Sequence, residues 1–127
     1  MTVVSEAPAG TIRRGLAVPP KVDAVPVAEL LADIEGREVV SLPELGARIG
    51  MGEQSRKYAI RAGLITPAAP VVNRREGYKI TRDEACTLLL AAALALAAGV
   101  AIAVMLRGCK AAGLTGAVAA TALHGMT

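Results

Sequence analysis

The chain has 127 residues, 14 Lys and Arg against 11 Asp and Glu, and a formal net charge of +3; that length suits one compact domain with tails. Apolar residues make up 54% of it but aromatics only 2%, with no Trp and no Phe. A core must therefore be built from Leu, Val, Ile and Ala, and a platform that stacks bases on several rings is excluded, because only Tyr58 and Tyr78 could serve.

Residues 1–25 lack the apolar run of a signal peptide and are broken by Pro8, Pro19 and Pro20. They read as a flexible arm in which Arg13 and Arg14 could touch a phosphate, a solvated basic pair being the commoner reading. Val27, Leu30, Leu31 and Ile34 then fall at i, i+3, i+4 and i+7, with Glu29, Asp33 and Glu35 on the other side. That spacing predicts a short amphipathic helix stopped at Gly36.

Val39 and Val40 lead into a capping box, Ser41 with Glu44, so a second helix starts near residue 42 and ends at Gly50 with Leu42, Leu45 and Ile49 as its apolar stripe. After a tight turn at 50–52, a third helix places Met51, Ser55, Tyr58, Ala59 and Ala62 on one expected inner face. Glu53, Arg56, Lys57 and Arg61 are expected on the outer face, Gln54 at its edge, and Ile60 has no natural place in this assignment. Two short helices joined by a glycine turn form a helix-turn-helix pattern, in which the second helix enters the major groove. Arg and Lys bridge guanine O6 and N7, and Gln pairs with adenine N6 and N7. An ordinary helical hairpin with a charged face has the same pattern.

Pro67 and Pro70 end any helix. Val71–Val72, the turn 73–77 and Tyr78–Ile80 then read as strand, turn and strand, a basic hairpin carrying Arg74, Arg75 and Lys79. Such a hairpin directly after a helix-turn-helix is a wing, whose arginines reach phosphates or a minor groove. The charge agrees: residues 1–47 sum to −3, residues 48–82 to +6 and residues 83–127 to zero. A clustered basic block is the usual footprint of a nucleic-acid binder.

A second capping box, Thr81 with Glu84, opens a helix that runs into 19 uncharged residues, 88–106. That length qualifies as a membrane span. Its high Ala and Gly content, the missing aromatic belt and Gly99 near its middle favour two helices instead, 82–98 and 100–112, folded on the preceding domain and offering a homodimer surface. Residues 113–127 read as a tail or a frayed last helix. Cys86, Cys109 and His124 assemble neither a metal site nor a nucleophile–base pair, so no metal, no cofactor and no enzymatic activity are expected, and the cysteines read as small apolar residues of a reducing, cytoplasmic compartment.

The block from about 38 to 105 resembles the MerR-type winged helix-turn-helix domain. The family's Glu-Leu-Ala-like helix start stands here as Glu44-Leu45-Gly46, and the Gly of the turn as Gly50. Its Arg-Tyr-Tyr stretch before a Gly-Leu-Ile-x-Pro end is similar to Lys57-Tyr58-Ala59 before Gly63-Leu64-Ile65-Thr66-Pro67, and its wing pattern to Gly77-Tyr78-Lys79-Ile80-Thr81. The sequence departs from the pattern at Arg56, where an apolar residue is usual, and at Ala59, which replaces the second Tyr. It has neither the long dimerisation helix nor the cysteine set of the metal and drug sensors. The resemblance therefore implies an effector-free member, close to phage and mobile-element repressors and to excisionase-like factors.

The expectation is a mainly α protein, a winged helix-turn-helix at 26–112 with a small β-hairpin wing and C-terminal apolar helices, flanked by an arm at 1–25 and a tail at 113–127. It is expected to bind double-stranded DNA as a transcriptional regulator, a repressor, with a DNA-bending factor and a single-span membrane protein as the alternatives. The candidate DNA-binding residues are Gln54, Ser55, Arg56, Lys57, Tyr58 and Arg61 on the second helix, with Arg74, Arg75 and Lys79 on the wing. Base reading is assigned to Gln54, Arg56, Lys57 and Arg61, and packing chiefly to Tyr58 and Tyr78.

Overall fold

The computed structural model describes residues 24–68 and 77–127. They form a mainly helical protein with one small antiparallel sheet. The order is α1 (Val27–Glu35), β1 (Val39–Ser41), α2 (Leu42–Ile49), α3 (Glu53–Arg61), β2 (Lys79–Thr81), α4 (Arg82–Ala98), α5 (Ile102–Ala111) and α6 (Gly116–Gly125). Residues 1–23 of the expected arm, the first strand of the expected hairpin and residues 73–76 of its turn, with Arg74 and Arg75, lie outside the described residues.

The two capping boxes form as their spacing requires. Ser41 Oγ accepts the Glu44 amide at 3.4 Å and Thr81 Oγ1 accepts the Glu84 amide at 3.2 Å, each satisfying a free N–H of the first helical turn. Both caps end a strand, and the two strands pair with each other: Val39 lies opposite Thr81, Val40 opposite Ile80 and Ser41 opposite Lys79. The lead-in Val39–Val40 is thus a strand in its own right, and because the pair is antiparallel α2 and α4 leave the sheet from opposite ends. The Leu42 amide adds a bond to the Tyr78 carbonyl at 3.0 Å, and Ala68 N–H bonds to the Lys79 carbonyl at 2.7 Å.

Helix α4 is the axis of the molecule. Its Ala and Leu are the strongest helix formers, and Asp83 and Glu84 complement the positive end of the helix dipole. Its middle is apolar all round because it is covered there: α1, α5 and α6 pack against it, and α2 and the sheet pack on it as well. Ala85 through Ala92 are all buried. Thr87, the buried polar residue among them, donates to the Asp83 carbonyl at 2.9 Å and accepts the Gly116 amide at 3.1 Å, which pins the start of α6 to α4.

The apolar run breaks at Gly99, where φ is 72°, and α5 starts at Ile102. Among the described residues no single helix is long and apolar enough to cross a membrane; α5 and α6 pass a length and composition test only as a pair bent by 115°. The stretch 113–127, expected as a tail or a frayed last helix, contains α6, with Ala119 and Leu123 fully buried. Its hydropathy gives no clear helical stripe, but its alanines favour helix and its small side chains let it lie close against α4. His124 in its last turn reaches Glu35 on α1, with Nε2 2.9 Å from Oε2.

Candidate nucleic-acid interface

Helix α2 ends in a left-handed Gly50 (φ 80°), a conformation that Gly adopts without a Cβ penalty, and three residues later α3 begins. Met51 in this turn is buried, and its amide bonds to the Gly46 carbonyl at 2.7 Å. The turn therefore sets α3 as a short helix with one side on the core and the other facing out.

The inner side is not the expected one. Ala59 is buried, Ile60 packs partly buried against the core, and Arg56 is half-buried between them. Ser55, Tyr58 and Ala62, expected inside, are exposed. The helix is rotated by about one residue, roughly 100°, from the face the small residues suggested. Burial of the Ile60 side chain drives this choice, and the aliphatic stem of Arg56 accompanies it while the charged end finds a partner. That partner is the Met51 carbonyl, 2.8 Å from the Arg56 guanidinium. Arg56 therefore holds the turn and does not stand on the outer face with the other expected base readers.

The outer face carries Gln54, Lys57, Tyr58 and Arg61, all exposed. Lys57 is tied to Glu53 one turn earlier at 3.1 Å, an exposed pair of small energetic weight. Among the described residues the Arg61 side chain makes no hydrogen bond or ion pair. Lys79 is exposed on β2, while Arg74 and Arg75 fall outside the described residues. Two further cations of the basic block serve the fold: Arg82 Nε donates to the Arg37 carbonyl at 2.8 Å, and Arg48 pairs with Glu29 at 3.0 Å.

One basic residue reaches this face from outside the block. Arg107, exposed on α5, donates to the Tyr58 hydroxyl at 3.0 Å. Sequence reasoning passed over it because residues 83–127 sum to zero charge. Its neutralising neighbours in that sum, Asp83 and Glu84, are elsewhere: Glu84 pairs with Lys110, and Asp83 lies beside Gly116. By contrast, the shallow cleft between α1 and α2, floored by Leu30, Ile34, Val40 and Leu45, has Arg37 on Asp33 and Arg48 on Glu29 at its rim, which leaves it no net attraction for an anion.

Among the described residues no group of three His, Cys, Asp or Glu is placed to hold a metal ion. Comparison with protein-family models, with curated proteins and with solved structures found no match.

Proposed function

We propose that this chain binds duplex DNA as a small winged helix-turn-helix regulator, a cytoplasmic repressor. The observation that carries this reading is the outer face of α3, where Gln54, Lys57 and Arg61 stand exposed at i, i+3 and i+7 on one stripe. A helix of this size fits the major groove, and these side-chain types match base edges and phosphates there. The left-handed turn at Gly50 supports the helix-turn-helix half of this reading, and the sequence Arg74, Arg75, Lys79 supplies the basic residues that a wing would use. One short domain of this kind reads few base pairs, so two copies act together, paired through the uncharged corner of Leu96, Val100 and Val104, the last 58% exposed.

The test is fluorescence anisotropy of labelled random duplex titrated with the full chain from low to moderate salt. Affinity should fall linearly on a log–log plot with a slope implying several phosphate contacts. Binding no tighter than that of a neutral control protein would overturn the reading.

A further inference from the structure

Tyr58 and Arg107 lie 49 positions apart in sequence, on α3 and α5, and meet at the edge of the α3 outer face. Tyr58 is 45% exposed, so its ring is not there to fill the core. A phenol hydroxyl accepts and donates. Here it accepts from Arg107, which leaves its own proton free to point to solvent. Among the described residues no carboxylate pairs with Arg107, and none pairs with Arg61, one turn along α3 from Tyr58. The Arg107 guanidinium thus holds a hydroxyl with an open donor, and the unneutralised, exposed Arg61 follows three residues later on α3. Guanidinium groups match phosphate oxygens in shape as well as charge, and a neutral hydroxyl adds a donor without adding repulsion between the two cations.

We infer that Arg107 and the Tyr58 hydroxyl together seat one phosphodiester of the duplex backbone, so that the DNA-contact surface extends from α3 onto α5. This rests on the DNA-binding reading. A phosphate held at this corner anchors the strand beside the groove that α3 enters and carries no sequence information of its own. It also couples the apolar α4–α5 region to the recognition helix, because Arg107 belongs to the former and Tyr58 to the latter.

The experiment compares wild type, Arg107→Gln, Tyr58→Phe and Arg61→Ala by anisotropy on random duplex across a salt series, with circular dichroism to verify folding. Both side chains are exposed enough that the first two substitutions leave the fold intact. Arg107→Gln should weaken binding about tenfold, by the same factor on any duplex, and reduce the salt slope by about 0.9. Tyr58→Phe should weaken binding without changing the slope, and combining the two should cost less than the sum of both. If Arg107→Gln keeps the wild-type slope and affinity while Arg61→Ala loses both, the phosphate seat is wrong and the DNA-binding reading stands. If wild type itself does not bind duplex, both fall.

Discussion

Gly46 and Arg56 occupy one another's space. A Cβ built on Gly46 would lie 3.0 Å from the Arg56 side chain and 2.9 Å from the Met51 carbonyl oxygen that Arg56 holds. The two residues stand ten positions apart, on α2 and α3, and meet across the turn that joins these helices. Glycine opens the room, and the arginine fills it with its stem and bonds the Met51 carbonyl in the turn.

Gly46→Ala is therefore expected to destabilise the fold by about 1–3 kcal/mol through overpacking, although Ala favours helix over Gly by about 1 kcal/mol. Arg56→Met keeps the stem but leaves the Met51 carbonyl without its partner, again a loss of about 1–3 kcal/mol. The double variant should depart from the sum, since both substitutions act on the same contact around the Met51 carbonyl. Urea unfolding of the four proteins measures this, and strict additivity would show that the two sites are independent. Because Arg56 serves the turn, Arg56→Met should leave the salt slope of DNA binding unchanged.

Lys57 and Arg61 are the opposite case: exposed, on the outer face, and with little of the fold depending on them. Lys57→Ala and Arg61→Ala should each reduce DNA affinity, while shifting unfolding by no more than about 0.5 kcal/mol. Arg61→Ala is expected to be the larger of the two, because Lys57 shares its charge with Glu53. Full retention of affinity in the double variant would remove α3 as the recognition helix.

Gly77 supports the other end of α2. It has φ of 74°, and a Cβ there would come within 2.5 Å of Pro43 Cγ, in the first turn of α2. The adjacent Tyr78 carbonyl accepts the Leu42 amide. Gly77→Ala then combines backbone strain with a clash against a ring that cannot turn away, and should cost about 2–4 kcal/mol. A thermal melt equal to wild type would mean that the segment before β2 docks differently.

Most elements were legible because their signals are local. Ser41 with Glu44 and Thr81 with Glu84 announce two helix starts from four residues each, and Gly50 and Gly99 announce two ends. The phase of α3 was not legible. Choosing between Tyr58 and Ile60 as the inner residue depends on whether Arg56 has a carbonyl to bond, and that carbonyl belongs to the preceding turn. The misfit of Ile60 on the polar side was the available signal. Arg107 was invisible for a plainer reason: its relation to Tyr58 is tertiary, across 49 residues, and summing charge over a block hides a cation whose acidic neighbours in sequence are not its neighbours in space.

The same holds for α6. A segment of small residues with no apolar stripe looks like a tail, but Leu123 is 0% exposed and Thr87 bonds the Gly116 amide. Leu123→Ala should cost about 2–5 kcal/mol, as for other fully buried leucines. Thr87→Val removes the acceptor of the Gly116 amide and should cost about 1–3 kcal/mol. Chemical denaturation of both variants decides the matter: a frayed tail would show neither loss.

Cys86 and Cys109 give the fold an alkaline limit. Both are buried, and removal from water raises both thiols above the ordinary 9.0; at Cys86 the nearby Glu35 and Asp83 carboxylates push in the same direction, against Arg82. In the unfolded chain the two thiols ionise at their ordinary value, so above about pH 9 the unfolded state releases protons that the folded state still holds. The stability contributed by keeping these thiols neutral is intact below that pH and is lost as pH rises through their raised folded values. Unfolding midpoints measured from neutral pH upward should fall more steeply for wild type than for Cys86→Ala/Cys109→Ala. A thiol reagent at pH 8 should label the native protein far more slowly than the urea-unfolded chain. Equal labelling rates in the two states would mean that α4 and α5 open around these residues, and the α4 axis described above would not hold.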